Sequence, residues 1–151
     1  MTWDKWDLRF LRLAEHIASW SKDPSTQVGA VIVSPRRSIV SAGYNGFPIG
    51  VEDLEERLIN REVKYKMVVH AEKNAIAFAE KPLQDCTIYT WPCPPCSQCS
   101  ALIIQTGICQ VVGLEPSEDI RSRWAEDFKL TRAMLAEGDV HYREVPRGAF
   151  A

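Results

Sequence analysis

Trp3, Trp6, Phe10, Leu13, Ile17 and Trp20 recur every three or four residues among polar neighbours. That period predicts an amphipathic first helix, its apolar face set against a sheet or a neighbouring subunit. Asp23-Pro24-Ser25 ends it, because proline donates no backbone hydrogen bond and restricts the residue before it. The pattern then shortens to that of strands. Val28 to Val33 and Ile39 to Tyr44 are apolar runs separated by Ser34-Pro35-Arg36-Arg37-Ser38, which predicts two strands joined by a tight turn.

Gly43-Tyr44-Asn45-Gly46-Phe47-Pro48-Ile49-Gly50 follows, with three glycines and a proline in eight residues. Such a segment suits a chain that bends closely around something. The polar stretch from Glu52 to Lys66 holds a helix of undefined extent, and a compact apolar helix runs from about Ala71 to Glu80, ending near Pro82. Thr87 to Trp91 reads as a strand stopped by Pro92, Cys96 to Thr106 as a helix with Gly107 at its exit, and Val111-Val112 as a further strand. Trp124, Phe128 and Leu135 mark a last amphipathic helix over about Arg121 to Glu137, and Val140 to Val145 supplies a terminal strand. A helix, a hairpin and then alternating helices and strands predict one domain over residues 1–151. Its architecture is a three-layer α/β/α sandwich around a mixed five-stranded sheet, since the later connections are long enough for parallel crossovers.

Composition narrows the partners. Eighteen basic and twenty acidic residues give a formal net charge of -2, so no bulk positive field exists to hold a long nucleic acid by its phosphates. One phosphate needs only a few local donors. The opening MTWDKWDLRF carries acids within its apolar pattern, and no run is apolar enough to span a bilayer. A cytoplasmic protein without a membrane partner is expected, in a host's cytoplasm if the chain is phage-encoded. Cys86, Cys93, Cys96, Cys99 and Cys109 are an odd set, which in a reducing compartment points to metal binding, catalysis or burial rather than disulfides. Cys86 and Cys109, beside apolar strand residues, are expected to be core thiols, and His16 and His141 to be ordinary surface or packing residues.

Two segments carry chemistry: His70-Ala71-Glu72 and Pro92-Cys93-Pro94-Pro95-Cys96. Two cysteines three positions apart near a helix start can turn both sulfurs to one cation, where free amide hydrogens and the helix dipole favour thiolates. With His70, the pair Cys93 and Cys96 makes a mixed nitrogen and sulfur set for zinc, and three protein ligands leave the fourth position open, as in catalytic sites. Glu72, two residues past the histidine, then stands beside that position as a proton carrier. An H-x-E segment followed by P-C-x-x-C is the general pattern of zinc deaminases. Cys99 follows Cys96 by three residues, so the bland alternative is a closed four-ligand structural site in a noncatalytic module.

Ser21-Lys22-Asp23-Pro24-Ser25-Thr26-Gln27-Val28-Gly29-Ala30 and the Gly43 to Gly50 segment add to these motifs. Together, from the first helix through about Val112, they resemble the deoxycytidylate deaminase family, and Arg123-Trp124-Ala125-Glu126-Asp127-Phe128 resembles the last-helix region of its bacterial and phage members. The resemblance implies a cytidine-deaminase-like fold, hydrolysis of dCMP to dUMP and ammonia for pyrimidine deoxynucleotide synthesis, and one Zn2+ per subunit. It implies a homo-oligomer, often a hexamer, and dCTP or dTTP as effectors. His70, Cys93 and Cys96 match the family's zinc ligands, Glu72 its proton shuttle, and Asn45 its sugar contact; Ala71 offers backbone contacts to the base. Lys22 and Ser25 are candidate phosphate contacts and Trp124 a candidate pocket wall, each with a structural alternative. Between Gly50 and His70 no cysteine or further histidine offers ligands for a second zinc. A deaminase of the same superfamily acting on dCTP, a free nucleoside, a pterin-like base or an adenosine in RNA is the enzymatic alternative.

Overall fold

The computed structural model of the chain describes residues 2–150. Asp4 starts α1 (Lys5–Ala18) through a capping box: its carboxylate accepts the Trp6 and Asp7 amides, and the Asp7 carboxylate returns to the Asp4 amide. These bonds satisfy amide groups that a helix start otherwise leaves without partners. The chain continues through β1 (Gly29–Val33), β2 (Ile39–Tyr44), α2 (Glu55–Ile59), α3 (Arg61–Met67) and α4 (Ala71–Ala77). It then forms β3 (Thr87–Trp91), α5 (Ser97–Gln105), β4 (Gln110–Leu114), α6 (Glu118–Glu137), β5 (His141–Val145) and α7 (Arg147–Phe150).

The five strands form one sheet in the order β2-β1-β3-β4-β5; β1 is antiparallel to both its neighbours, and β3, β4 and β5 are parallel. This is the mixed five-stranded sheet that the pattern predicts. Alternation along the central strands sorts the core into two layers. Val31, Val33, Tyr89 and Val112 pack against Phe10, Leu11, Ala14 and Ile17 of α1. Ala30, Ile32, Ile88 and Val111 face the other way, toward Ala71 and Ala75 of α4, Ile103 of α5 and Leu135 of α6. The result is an α/β/α sandwich.

The first helix is shorter than its aromatic pattern suggests, and Leu11, Ala14 and Ala18 are buried beside the expected Phe10 and Ile17. Ala14 and Ala18 are fully buried, whereas Trp20 lies beyond the helix and is 54% exposed. Gly29 explains the choice: a Cβ there would lie 2.0 Å from the Ala14 carbonyl oxygen and 2.7 Å from the Ala18 nitrogen. Alanines on the helix and the missing side chain of Gly29 on the strand let the two backbones touch, and the large tryptophans are left to the rim. Gly29→Ala is therefore expected to destabilise the protein by about 1–3 kcal/mol or more, as overpacking against backbone does. A urea melt checks this; an unchanged midpoint would contradict the close packing.

Gly43 plays the same part on the opposite face, where an added Cβ would lie 2.5 Å from the Ala75 nitrogen and 2.6 Å from the Ala71 oxygen. It seats α4 directly on β2. One edge of the sheet thereby gathers the start of β1, the ends of β2, β3 and β4, and the first residues of α4 and α5. Carboxyl ends of strands are where open α/β sheets form ligand crevices. No helix among the described residues is long and apolar enough to cross a membrane.

Candidate active site

His70 and Cys96 both occupy the position just before a helix, α4 and α5 respectively, with extended backbone. Cys99 lies in the first turn of α5. The His70 Nδ1 is 3.5 Å from the Cys96 Sγ and 3.3 Å from the Cys99 Sγ, and among the described residues this is the one cluster whose three donor atoms lie within 4.8 Å of one another. Tetrahedral zinc with ordinary bond lengths would hold a nitrogen and a sulfur about 3.6 Å apart. The donor set fits zinc in both chemistry and spacing, and constitutes a His/Cys/Cys metal-binding site for one ion per chain.

The structure brings Cys99, rather than Cys93, together with His70 and Cys96. Two P-C-x-x-C frames overlap here, and the second, Pro95-Cys96-Ser97-Gln98-Cys99, is the one that straddles a helix start. A capping residue and the residue three beyond it face each other across the first turn, the relation that capping boxes use. Cys93 instead precedes two prolines, whose fixed backbone carries the chain past the sheet before α5 begins. The Cys93 thiol lines the neighbouring cavity, and burial pushes it up to about 12.

The three donors are electrically unequal. Cys96 is pushed down to about 4, first by the hydrogen bond from the Cys99 thiol and further by His70, while the same bond and burial hold the Cys99 proton firmly in place. The hydrogen bond to Cys96 also raises His70 above its ordinary value, against burial. Metal ligation needs deprotonated sulfurs, so metal loading displaces protons from this cluster. Glu72 is only 4% exposed. Burial, then the nearby Cys96, raises its carboxyl above the usual range.

His70, Glu72 and Cys96 line a cavity of about 350 Å³, a size suited to a small organic ligand, with Cys99 fully buried behind them. Asn45, Ala71, Ser25 and Trp124 all line it. The fully buried Ala71 is the first residue of α4, and the Gly46 and Val69 backbones exchange hydrogen bonds of 3.1 and 2.8 Å that set Asn45 beside His70. Lys22 is not among the lining residues; its exposed ammonium pairs with Asp53 at 3.0 Å.

The basic residues on the wall are Arg61, Lys64 and Arg123. Arg61, Lys64, Tyr65 and Val68 recur at helical spacing and turn one face of α3 to the cavity; Ile120, Arg123, Trp124, Asp127 and Phe128 do the same from α6. The Ser97 amide and hydroxyl donate to Asp127 at 2.8 and 2.6 Å, fixing the start of α5 against α6. The spacing on α3 was the available signal, obscured by the polar composition of its surroundings.

Residues 4–115 match the cytidine and deoxycytidylate deaminase zinc-binding region, and the chain belongs to that family of zinc deaminases. It is 47% identical over 144 residues to an uncharacterized deaminase in the luxG 3' region of Aliivibrio fischeri, covering 94% of this chain and 95% of that one. Identity with a probable deoxycytidylate deaminase of Caenorhabditis elegans is 40% over 141 residues, 91% of this chain and 68% of the relative. The fold matches a crystal structure of dCMP deaminase from the cyanophage S-TIM5 in complex with dCMP and dUMP, with a TM-score of 0.74 at 22% identity, over 96% of this chain and 100% of that one.

Proposed function

We propose that this protein hydrolyses dCMP to dUMP and ammonia, using zinc held by His70, Cys96 and Cys99. The observation that carries the reading is a metal-binding triangle that presents His70 and Cys96, beside buried Glu72, to a cavity whose wall bears Arg61, Lys64 and Arg123. The relatives named deoxycytidylate deaminase support the same substrate.

Zinc bound at this site supplies an activated water by lowering its pKa from 15.7 toward about 7. Glu72 accepts the water's first proton and delivers it to N3 of the cytosine as a C–O bond forms at C4. A second proton, from the hydroxyl now on C4, passes through the same carboxylate to the exocyclic amino group. The C4–N bond then breaks, the carbonyl of uracil forms and ammonia leaves. Burial suits Glu72 to this exchange, because a raised pKa makes its carboxylate a better proton acceptor. Asn45 is assigned to the sugar, Ala71 to the base, Ser25 to the phosphate side and Trp124 to the pocket wall. Arg61 and Arg123 replace Lys22 as the cations for the phosphate.

Ammonia release from dCMP, dCTP, deoxycytidine and adenosine, with zinc quantified on the same sample, tests this reading. Preference for dCMP and one zinc per chain are expected. Preference for dCTP would transfer the chemistry to the triphosphate, and no turnover of any of the four would remove it. Arg123→Ala is expected to raise KM for dCMP about 10- to 100-fold, the loss of one charge-assisted hydrogen bond, while deoxycytidine turnover stays unchanged. Equal effects on both substrates would place Arg123 away from the phosphate.

A cytoplasmic homo-oligomer, up to a hexamer, with dCTP and dTTP as effectors completes the proposal. Exposed Ile49, Ile59 and Phe78 offer apolar surface for assembly, and light scattering with and without each nucleotide tests both parts.

A further inference from the structure

Lys64 is the most deeply buried cation on the cavity wall, its side chain 5% exposed beside Asp23 at 9%. Its Nζ lies 3.1 Å from the Asp23 Oδ1 and 3.2 Å from the Ser25 Oγ. The same Asp23 oxygen accepts the Ser25 and Thr26 amides at 2.8 and 3.1 Å. The carboxylate is thus the hub of the loop between α1 and β1, and Lys64 binds that hub to α3.

What this loop holds is Asn45. The Asn45 Nδ2 donates to the Thr26 carbonyl at 2.9 Å and to the Asp23 Oδ2 at 3.4 Å, while its Oδ1 accepts the Val28 amide at 2.9 Å. A carbonyl on one side and an amide hydrogen on the other admit only one orientation of the side-chain amide. Both its hydrogens are then committed, and one lone pair on Oδ1 is the hydrogen-bonding capacity left over. An amide in that state receives a ligand that donates, such as a sugar hydroxyl, and offers nothing to a ligand that only accepts.

We propose that Lys64 is a positioning residue for sugar recognition: through Asp23 and Ser25 it fixes the loop that locks Asn45 as an acceptor for a ligand hydroxyl. The proposal rests on the assignment of Asn45 to the sugar of the nucleotide. An ion pair so buried also has structural value, so the test must read recognition and not only stability.

Wild type and Lys64→Met are compared for kcat/KM on dCMP and on 2',3'-dideoxycytidine monophosphate, which lacks the donating hydroxyl. Wild type is expected to prefer dCMP roughly tenfold, the scale of one hydrogen bond. In Lys64→Met the preference shrinks to about twofold, mainly through KM for dCMP, with zinc content unchanged. A folded Lys64→Met protein that keeps the wild-type preference overturns the proposal. If that variant does not fold, Lys64→Arg and Ser25→Ala decide, each expected to weaken the preference; its retention in both is equally fatal. Side-chain amide exchange separates this idea from the functional reading beneath it. The Asn45 side-chain amide hydrogens, identified by NMR through their loss in Asn45→Ala, are expected to exchange roughly tenfold faster in the Lys64 variant, because the clamp no longer holds them closed. Equal exchange rejects the clamp whatever the substrate, whereas wild type inert toward dCMP with faster exchange in the variant rejects only the substrate.

Discussion

Glu72→Gln is expected to give a folded protein with zinc near one equivalent per chain and turnover of dCMP reduced by about 10²- to 10⁴-fold or more, the scale of a lost general acid–base group. Glutamine has nearly the same shape, and Glu72 lies outside the three-donor cluster, so metal content is spared while the proton path is cut. Normal turnover in the variant would remove Glu72 from the chemistry. The substitution should also change how stability depends on pH. Burial raises the Glu72 pKa in the folded state, so between its unfolded and folded values the native protein binds more protons than the unfolded chain. The associated stability is complete below the unfolded value near 4.3 and is lost as pH rises through the folded value. In metal-free protein, urea melts at pH 5 and pH 8 should show wild type losing stability relative to Glu72→Gln at the higher pH.

A second pair of variants separates the two overlapping cysteine frames. Cys99→Ser should lose most of its zinc and with it the activity, because the third donor of the cluster becomes a hydroxyl. Cys93→Ser should keep about one zinc per chain, since its sulfur is not part of the cluster. Zinc quantification with a colorimetric chelator and a circular dichroism spectrum of each variant checks both. The opposite pattern would restore the frame that begins at Cys93.

The motif in the sequence points to the frame at Cys93 and leaves Cys99 as a possible fourth ligand; the structure favours the frame at Cys96 because of where a helix starts. Pro-Cys-x-x-Cys occurs at Cys93 and again at Cys96, and spacing alone does not rank them. Cys96 caps α5 and Cys99 sits in its first turn, a relation that depends on knowing that the helix begins at Ser97. The sheet was easier to read, because Val28 to Val33 and Thr87 to Trp91 are apolar runs bounded by turn residues, and β1 and β3 fall within them. His70, Glu72 and Asn45 all line the cavity; the first two stand in a compact motif with a chemical reading of its own, whereas Asn45 was singled out through the family resemblance of its segment. Lys64, Arg61 and Arg123 were not legible, since a cation on a polar helix looks the same whether it faces water or a cavity. Lys22 shows the converse, standing in a conspicuous motif yet turning outward to Asp53.

The two hydrogen bonds between Gly46 and Val69 carry one more implication. They make the residue assigned to the sugar and the first metal ligand neighbours on a single backbone splint, so displacement of one drags the other. Changes of substrate scope introduced near Asn45 would disturb the metal geometry as a side effect. The helix faces of α3 and α6, which hold none of the three ligands, are the walls on which a new specificity can be built while the reaction centre stays intact.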